Sequence, residues 1–173
     1  SISSYRYSGD RTVLSYEEMN GYCNRAIKLN PNCKLTLILM QVNDIEDYMK
    51  NEGSGFVQDL LQSVQDTVRR HVGHRGIVCP LQPNLMSVVV QDINSDIKLR
   101  AFIESLRSRI AWNYRLVDPK YEISFSFGVA CYPENGMDMR IVHRKLVKAL
   151  QMAQEKHANC YVIYKEHLHG ELS

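Results

Sequence analysis

A continuous apolar run limits the folds open to this chain more than any other feature of its sequence. Residues 34–40 read KLTLILM, and nearly every side chain in the run is apolar. A strand with one face in water would alternate apolar and polar residues, whereas this pattern fits a strand covered on both faces. The run therefore predicts a sheet with a layer of helices on each side.

A second pattern predicts a β-hairpin. Residues 76–81 and 85–90 are two strand-like runs, and Gln82, Pro83 and Asn84 join them. Pro80 lacks an amide donor, so it is expected at a position where the strand edge needs none. Two further strands are predicted over 122–131 and 160–164.

Apolar residues at helical spacing predict the helices between these strands. Ser15 with Glu18 three residues later resembles a capping box at the start of the first helix. The predicted helices cover residues 15–29, 44–51, 56–71, 97–114 and 140–157. Helices that alternate with a mixed set of strands predict an α/β fold, a single sheet flanked by helices.

Composition restricts the function classes. The chain has 173 residues, which fits one domain, and its formal net charge of +2 does not favour nucleic acid as a partner. Five cysteines, an odd number without a C-x-x-C pair, indicate reduced thiols in a reducing compartment.

No apolar run approaches 18 residues, so we expect no membrane insertion. We expect a cytoplasmic location, either of the whole protein or of the cytoplasmic part of a membrane-anchored protein. The chain begins at Ser1 without a Met, which suggests a domain excised from a larger multidomain protein.

Several segments, in their order and spacing, resemble the GGDEF domains of diguanylate cyclases. Residues 34–61 follow the family's rhythm of strand, helical turn, glycine and long helix, and residues 77–90 occupy the place of its signature hairpin. Residues 124–136, SFSFGVACYPENG, are close to the family's S-x-G-x-A-x-x-P strand and loop. Residues 148–164, the end of the last long helix and the segment after it, follow as in the family. The resemblance covers about residues 10–165. It implies one GGDEF domain over 1–173, with a nucleotidyl-cyclase-like palm, a central mixed five-stranded sheet flanked by helices.

The family, by this resemblance, condenses two GTP molecules into cyclic di-GMP and needs carboxylates that hold Mg²⁺ against the triphosphate. The carboxylate at the end of the first strand corresponds to Gln41, and the Asp two residues later corresponds to Asn43. The five signature letters fall on Gln82, Pro83, Asn84, Leu85 and Met86. The acidic metal ligand is therefore replaced by Leu85 or, with a shift of one residue, by Asn84, and we expect no bound Mg²⁺.

Other positions that the family uses have also changed. The signature glycines, which let the backbone approach phosphate, correspond to Gln82 and Pro83. The guanine-reading Asn and Asp correspond to Met49 and Gln58. The product-binding Arg-x-x-Asp corresponds to residues 73–76, where His74 and Arg75 could bind an anion but the pattern is absent.

These departures predict a degenerate domain that is not an enzyme. We expect a regulatory or interaction module in a bacterial cyclic di-GMP signalling protein. Its expected partners are a neighbouring output or sensor domain of the same protein and a second copy in a homodimer. The alternative is a sensor of GTP or cyclic di-GMP with a remodelled pocket that uses Gln41, Gln58, Asn84 and Arg75. A retained cyclase activity is the third hypothesis.

A few remaining residues carry smaller predictions. His71 and His74 are interpreted as polar residues at a helix end, where a cationic imidazole suits the helix dipole, rather than as metal ligands with Cys79. Trp112 and Tyr114 are candidates for a contact surface. The tail that contains His167 and His169 is expected to be frayed.

Overall fold

Strand β1 (Leu35–Val42) is the middle strand of a five-stranded sheet with the order β2-β3-β1-β4-β5. The computed structural model describes residues 16–117, 122–156 and 159–170. The other strands are β2 (Gly76–Gln82), β3 (Leu85–Gln91), β4 (Phe125–Tyr132) and β5 (Cys160–Ile163). The helices are α1 (Tyr16–Leu29), α2 (Ile45–Glu52), α3 (Ser54–Val72), α4 (Asp96–Val117), α5 (Met139–Glu155) and α6 (Glu166–His169), with a 3₁₀ turn at Gly73–Arg75.

The sheet is mixed, as the sequence predicts. Strand β1 runs antiparallel to both β3 and β4, whereas β5 runs parallel to β4. Residues 35–40 are all buried, and they alternate between two cores. Ile38 and Met40 face the layer of α3 and α4, and Leu37 and Leu39 face the layer of α1 and α5. The apolar run is therefore the sequence signature of a strand covered on both faces.

Helix α5 packs closely on β4 because Gly128 has no side chain. A Cβ atom at Gly128 would lie 2.3 Å from the backbone nitrogen of Leu150 and 2.8 Å from the carbonyl oxygen of Leu146. Since both neighbours are backbone atoms inside a helix, neither can move aside alone. This contact fixes the distance between α5 and the sheet.

Most predicted elements lie within three residues of the observed ones. Pro80 lies on β2 at the sheet edge, and the pairing register shifts just after it. The turn of the hairpin is shorter than predicted, because Gln82 pairs with Leu85 and leaves only two residues between the strands. The proposed cap at Ser15 lies outside the described residues.

Two other expectations can be compared with the structure. The five cysteines are free thiols, and Cys23, Cys33 and Cys79 are buried. The prediction of a frayed tail is wrong for residues 164–170, since Tyr164 is buried and Glu166–His169 form a helical turn. No helix among the described residues is long and apolar enough to cross a membrane.

We expect Gly128→Ala to lower the free energy of unfolding by about 1–3 kcal/mol or more, because the added methyl group overlaps the backbone of α5. Chemical denaturation measures this change. Gly55→Ala is the matched control, since a Cβ atom there meets nothing within 4 Å and alanine favours the helix by up to ~1 kcal/mol. Equal stability of Gly128→Ala and wild type would contradict the close packing.

Candidate functional site

A cavity of about 610 Å³ opens where β1 ends. The antiparallel register brings the end of β1 beside the start of β3 and the start of β4, with Gln41 opposite Leu85 and Val42 opposite Phe125. Side chains from separate parts of the chain therefore meet at one edge of the sheet. The lining residues are Gln41, Val42, Asn43, Asp44, Ile45, Glu46, Asp47, Asn84, Ser124, Ser126 and Gln154.

Asn43 is fixed by hydrogen bonds to the segment that leads into β4. Its side-chain Nδ2 donates to Ser124 Oγ at 3.0 Å and to Ser126 Oγ at 3.1 Å. Its backbone N–H donates to the carbonyl oxygen of Ser124 at 2.9 Å. The amide at this position is therefore already paired with neutral hydroxyl groups.

The other three side-chain amides of the site are also paired. Asn84 Nδ2 donates to the carbonyl oxygen of Val42 at 3.2 Å, and the N–H of Val42 donates to the carbonyl oxygen of Asn84 at 2.9 Å. Gln154 on α5 donates from Nε2 to Gln41 Oε1. The floor of the cavity is thus a set of neutral groups that satisfy one another.

The charged residues of the cavity come from the start of α2. Asp44, Glu46 and Asp47 are exposed there, and the lining contains no Lys, Arg or His. The cavity therefore has an acidic rim and a neutral floor. In the described part of the chain, no group of three or more His, Cys, Asp or Glu side chains could hold a metal ion.

The hairpin residues take different places around this cavity. Asn84 lines it, whereas Leu85 packs against the core under α1 and α5, and Met86 is buried in the core under α3 and α4. Gln82 and Pro83 are exposed. Asn84 and Leu85 are the two residues that the resemblance assigns to the family's acidic ligand, and Asn84 is the one that faces the cavity.

The residues that correspond to the guanine-reading positions do not join the cavity. Met49 on α2 and Gln58 on α3 are both exposed, and neither lines it. The structure therefore brings together Gln41, Asn43 and Asn84, and it leaves these two residues apart from them.

Arg75 lies at the opposite end of β2, in the 3₁₀ turn. It donates from Nη2 to the carbonyl oxygen of His71 at 2.7 Å, and its guanidinium lies 4.9 Å from the centroid of the Phe102 ring. Arg75 borders a second cavity, of about 350 Å³, together with Asp92 and Lys98. His74 is exposed and does not line this cavity.

His71 lies in the last turn of α3, as predicted, but its surroundings do not favour the predicted cationic form. Its ring is buried against Phe102, with 4.6 Å between the ring centroids, and Nε2 lies 3.2 Å from the carbonyl oxygen of Phe102. Burial lowers the pKa of His71, so the neutral imidazole is the form that the fold favours. Cys79 packs in the other core layer, under α1 and α5, so it does not join His71 in a metal site.

Sequence reasoning missed Ser124, Ser126 and Gln154. The alternation SFSF at 124–127 carried a signal for the two serines, because it places both hydroxyls on the same face of the chain. No local pattern marks Gln154, which reaches Gln41 only because α5 crosses the sheet at that point. Lys98 and Asp92 at the second cavity were also missed, because no local sequence pattern marks them.

Comparison with known proteins identifies the family. Residues 16–160 match the family model described as "Diguanylate cyclase, GGDEF domain", so the chain belongs to the GGDEF domain family. An uncharacterised protein of Synechocystis sp. is 17% identical over 142 residues, which cover 82% of this chain and 20% of that protein. This chain thus spans about a fifth of the length of that relative.

Solved structures with the same fold come from several bacteria. The active GGEEF domain of a diguanylate cyclase from Vibrio cholerae has a TM-score of 0.76 and 13% identity, with 90% of this chain and 99% of that chain covered. A diguanylate cyclase/phosphodiesterase from Caldicellulosiruptor saccharolyticus has a TM-score of 0.73 and 19% identity, over 90% and 92% of the two chains. The GGDEF domain of DgcB from Caulobacter crescentus, solved with cyclic di-GMP, has a TM-score of 0.72 and 13% identity, over 89% and 96%.

We expect the free energy of unfolding to fall as the pH drops from about 6.5 to about 5, and His71→Gln to make this fall less steep. The pKa of His71 is lowered in the folded state. The stability that neutral His71 contributes is therefore fully present above the unfolded-state pKa and is lost as the pH falls through the folded-state pKa. Urea denaturation at several pH values measures the slope. His74→Gln, at an exposed site, is the control, and equal slopes for both variants would refute the assignment.

Proposed function

We propose that this GGDEF domain does not synthesise cyclic di-GMP and acts as a regulatory or interaction module of a larger signalling protein. The observation that carries the proposal is the neutral, mutually hydrogen-bonded floor of the cavity formed by Gln41, Asn43 and Asn84 with their partners. Phosphoryl transfer between nucleotides depends on metal ions and cations that neutralise the triphosphate. The floor offers uncharged amides where that chemistry requires carboxylates.

Mg²⁺ does not fit the residues present. It prefers several oxygen ligands in octahedral geometry and is usually held by at least one carboxylate together with phosphate. The floor places the Nδ2 atoms of Asn43 and Asn84 in hydrogen bonds, and amide nitrogens are donors that repel a cation. The carboxylates of the rim belong to the N-cap and first turn of α2 and are not at the strand-end positions, where Gln41 and Asn43 stand.

The charge of the rim also opposes a triphosphate. Asp44, Glu46 and Asp47 surround the opening without a Lys or Arg among the lining residues. A polyphosphate that enters would meet like charges at short range, where the repulsion is least screened. We therefore expect GTP to bind weakly at this cavity.

We expect no cyclic or linear dinucleotide product from GTP with Mg²⁺ or Mn²⁺, measured by liquid chromatography. Gln41→Asp combined with Asn84→Asp should add a metal site, because the two carboxylates stand at the neighbouring ends of β1 and the hairpin. The readout is thermal stabilisation by Mn²⁺, since a ligand that binds only the folded state raises its stability. Gln41→Asn with Asn84→Gln is the uncharged control.

Two outcomes would contradict this part of the proposal. Product formation by the wild-type chain would show that the domain is an active cyclase. Equal stabilisation by Mn²⁺ of the wild type and the carboxylate variant would show that the floor already binds metal.

A regulatory or interaction role predicts that removal of residues 16–164 from the full-length protein changes its output activity or its oligomeric state. Size-exclusion chromatography with light scattering and an assay of the output domain measure the two effects. Trp112, 64% exposed on α4, is the candidate contact residue, and Trp112→Ser should reproduce part of the effect without a loss of stability. If the deletion leaves output and assembly unchanged, the domain is not a regulatory module.

The second candidate is a nucleotide sensor with a remodelled pocket. It is favoured by the size of the cavity, about 610 Å³, which is sufficient for a small ligand, and by the amides of Gln41 and Asn84 at its floor. Gln41→Ala combined with Asn84→Ala separates the two candidates in the full-length protein. A sensor would lose its response to GTP or cyclic di-GMP, whereas an interaction module would keep the output of the wild type.

A further inference from the structure

The chain after β5 is attached to the domain by many polar contacts. We call residues 164–170 the strap; it contains helix α6 and contacts the middle of α5 at Lys145 and Lys148. Tyr164 is buried, its N–H donates to the carbonyl oxygen of Val129 at 2.7 Å, and its carbonyl oxygen accepts from Asn135 at 3.4 Å. The strap therefore begins as an extension of the sheet.

Lysines join the strap to three other elements. Lys145 on α5 pairs with Glu166 and donates to the carbonyl oxygen of Asn135 at 2.8 Å. Lys165 pairs with Asp96 at the start of α4, at 2.9 Å, and with Glu134 in the loop after β4, at 3.4 Å. The strap is thus connected to α4, to α5 and to the loop between β4 and α5.

His169 closes the strap on itself. The backbone N–H of Lys165 donates to His169 Nδ1 at 2.9 Å, and the backbone N–H of His169 donates to the carbonyl oxygen of Lys165 at 2.7 Å. Lys165 precedes the first residue of α6, so the imidazole occupies the place that a glutamate side chain takes in a capping box. A ring nitrogen that accepts a hydrogen bond carries no proton, so the closed strap requires His169 to be deprotonated at Nδ1.

The groups around His169 disfavour a positive charge on its ring. Lys148 on α5 donates from Nζ to the carbonyl oxygen of His169 at 3.0 Å, and the Tyr164 hydroxyl donates to the same oxygen at 3.1 Å. Partial burial lowers the pKa of His169, and the charges of Lys156, His167 and Lys148 lower it further. The carboxylate of the strap, Glu166, is paired with Lys145.

We propose that the strap is a proton-sensitive latch, closed on α5 while His169 is neutral and released when His169 takes up a proton at Nδ1. Protonation replaces the acceptor that faces the Lys165 N–H with a second donor, so the closing hydrogen bond is lost. The same proton adds a charge beside Lys148 and Lys156. Both changes act on the strap and leave the buried sheet intact.

This latch would give the domain an input that does not depend on a nucleotide. The strap lies at the end of β4 near Asn135, whereas the cavity described above lies at the other end of β4, near Ser126. Release of the strap would free Lys145 and Lys148 and the start of α4 for other contacts. The inference stands on the contacts of the strap and does not require the proposed loss of cyclase activity.

Hydrogen exchange of the present chain tests the latch. We expect the amides of Lys165 and His169 to be protected at pH 7.5 and to exchange about tenfold faster at pH 5 after correction for the intrinsic rate, the size expected for one lost hydrogen bond. Amides of β1, such as that of Ile38, serve as the internal control and should remain protected at both pH values. The ring signals of His169 in NMR spectra give its protonation state directly.

Three variants make the result specific. His169→Asn keeps an acceptor near the position of Nδ1 but does not titrate, so its strap should remain protected at both pH values. His169→Ala removes the acceptor, so its strap should exchange fast at both. Lys148→Gln keeps a donor for the His169 carbonyl oxygen but removes the charge, so the midpoint of release should move to higher pH.

The outcomes separate the latch from a merely structural contact. Strap protection that does not change between pH 7.5 and pH 5, while His169 titrates in this range by NMR, would overturn the proposal. Equal pH dependence in wild type and His169→Asn would assign the release to another group and would also overturn it. Loss of protection in β1 together with the strap would indicate global unfolding, and this too would refute a local latch.

Discussion

Strand β1 is the constraint on which the rest of the molecule depends. It is hydrogen-bonded along both edges, to β3 and β4, and it is buried on both faces. A strand in this position cannot shift by one residue without moving its apolar side chains from one core to the other. Its end is therefore fixed in space, and this places Gln41 and Asn43 beside the turn that carries Asn84. The burial of residues 35–40 thus determines the geometry of the cavity at the end of the same strand.

The sequence predicted the fold well because the fold depends on local periodicity. The apolar run, the hairpin with Pro80 at an edge and the amphipathic helices each follow from residues close together in the chain. The site was only partly predictable, because it depends on register. Whether Leu85 or Asn84 faces the cavity is decided by the two-residue turn, which no pattern in 82–86 specifies. Gln154 joins the site through the path of α5, and the burial of His71 depends on Phe102 in another helix.

The fold alone does not decide the chemistry of this family member. The active GGEEF domain from Vibrio cholerae shares the architecture with a TM-score of 0.76 although only 13% of residues are identical. A backbone of this shape is therefore compatible with catalysis, and the side chains of the site decide which chemistry a family member can perform. In this chain neutral amides stand at the end of β1 and in the hairpin turn, and the acidic residues at the start of α2 carry the same sign of charge as a triphosphate.

The neutral amides of the floor also avoid a charge repulsion that carboxylates would create there. Two carboxylates at neighbouring strand ends repel each other unless a cation lies between them, so a metal-binding floor is stable mainly with its metal. Asn43 instead both donates to and accepts from the hydroxyl of Ser126, and Asn84 joins the backbone of Val42. The amides of the floor are thus paired with neutral groups of the protein itself. These hydrogen bonds join the ends of β1, β3 and β4 through neutral groups of the protein itself.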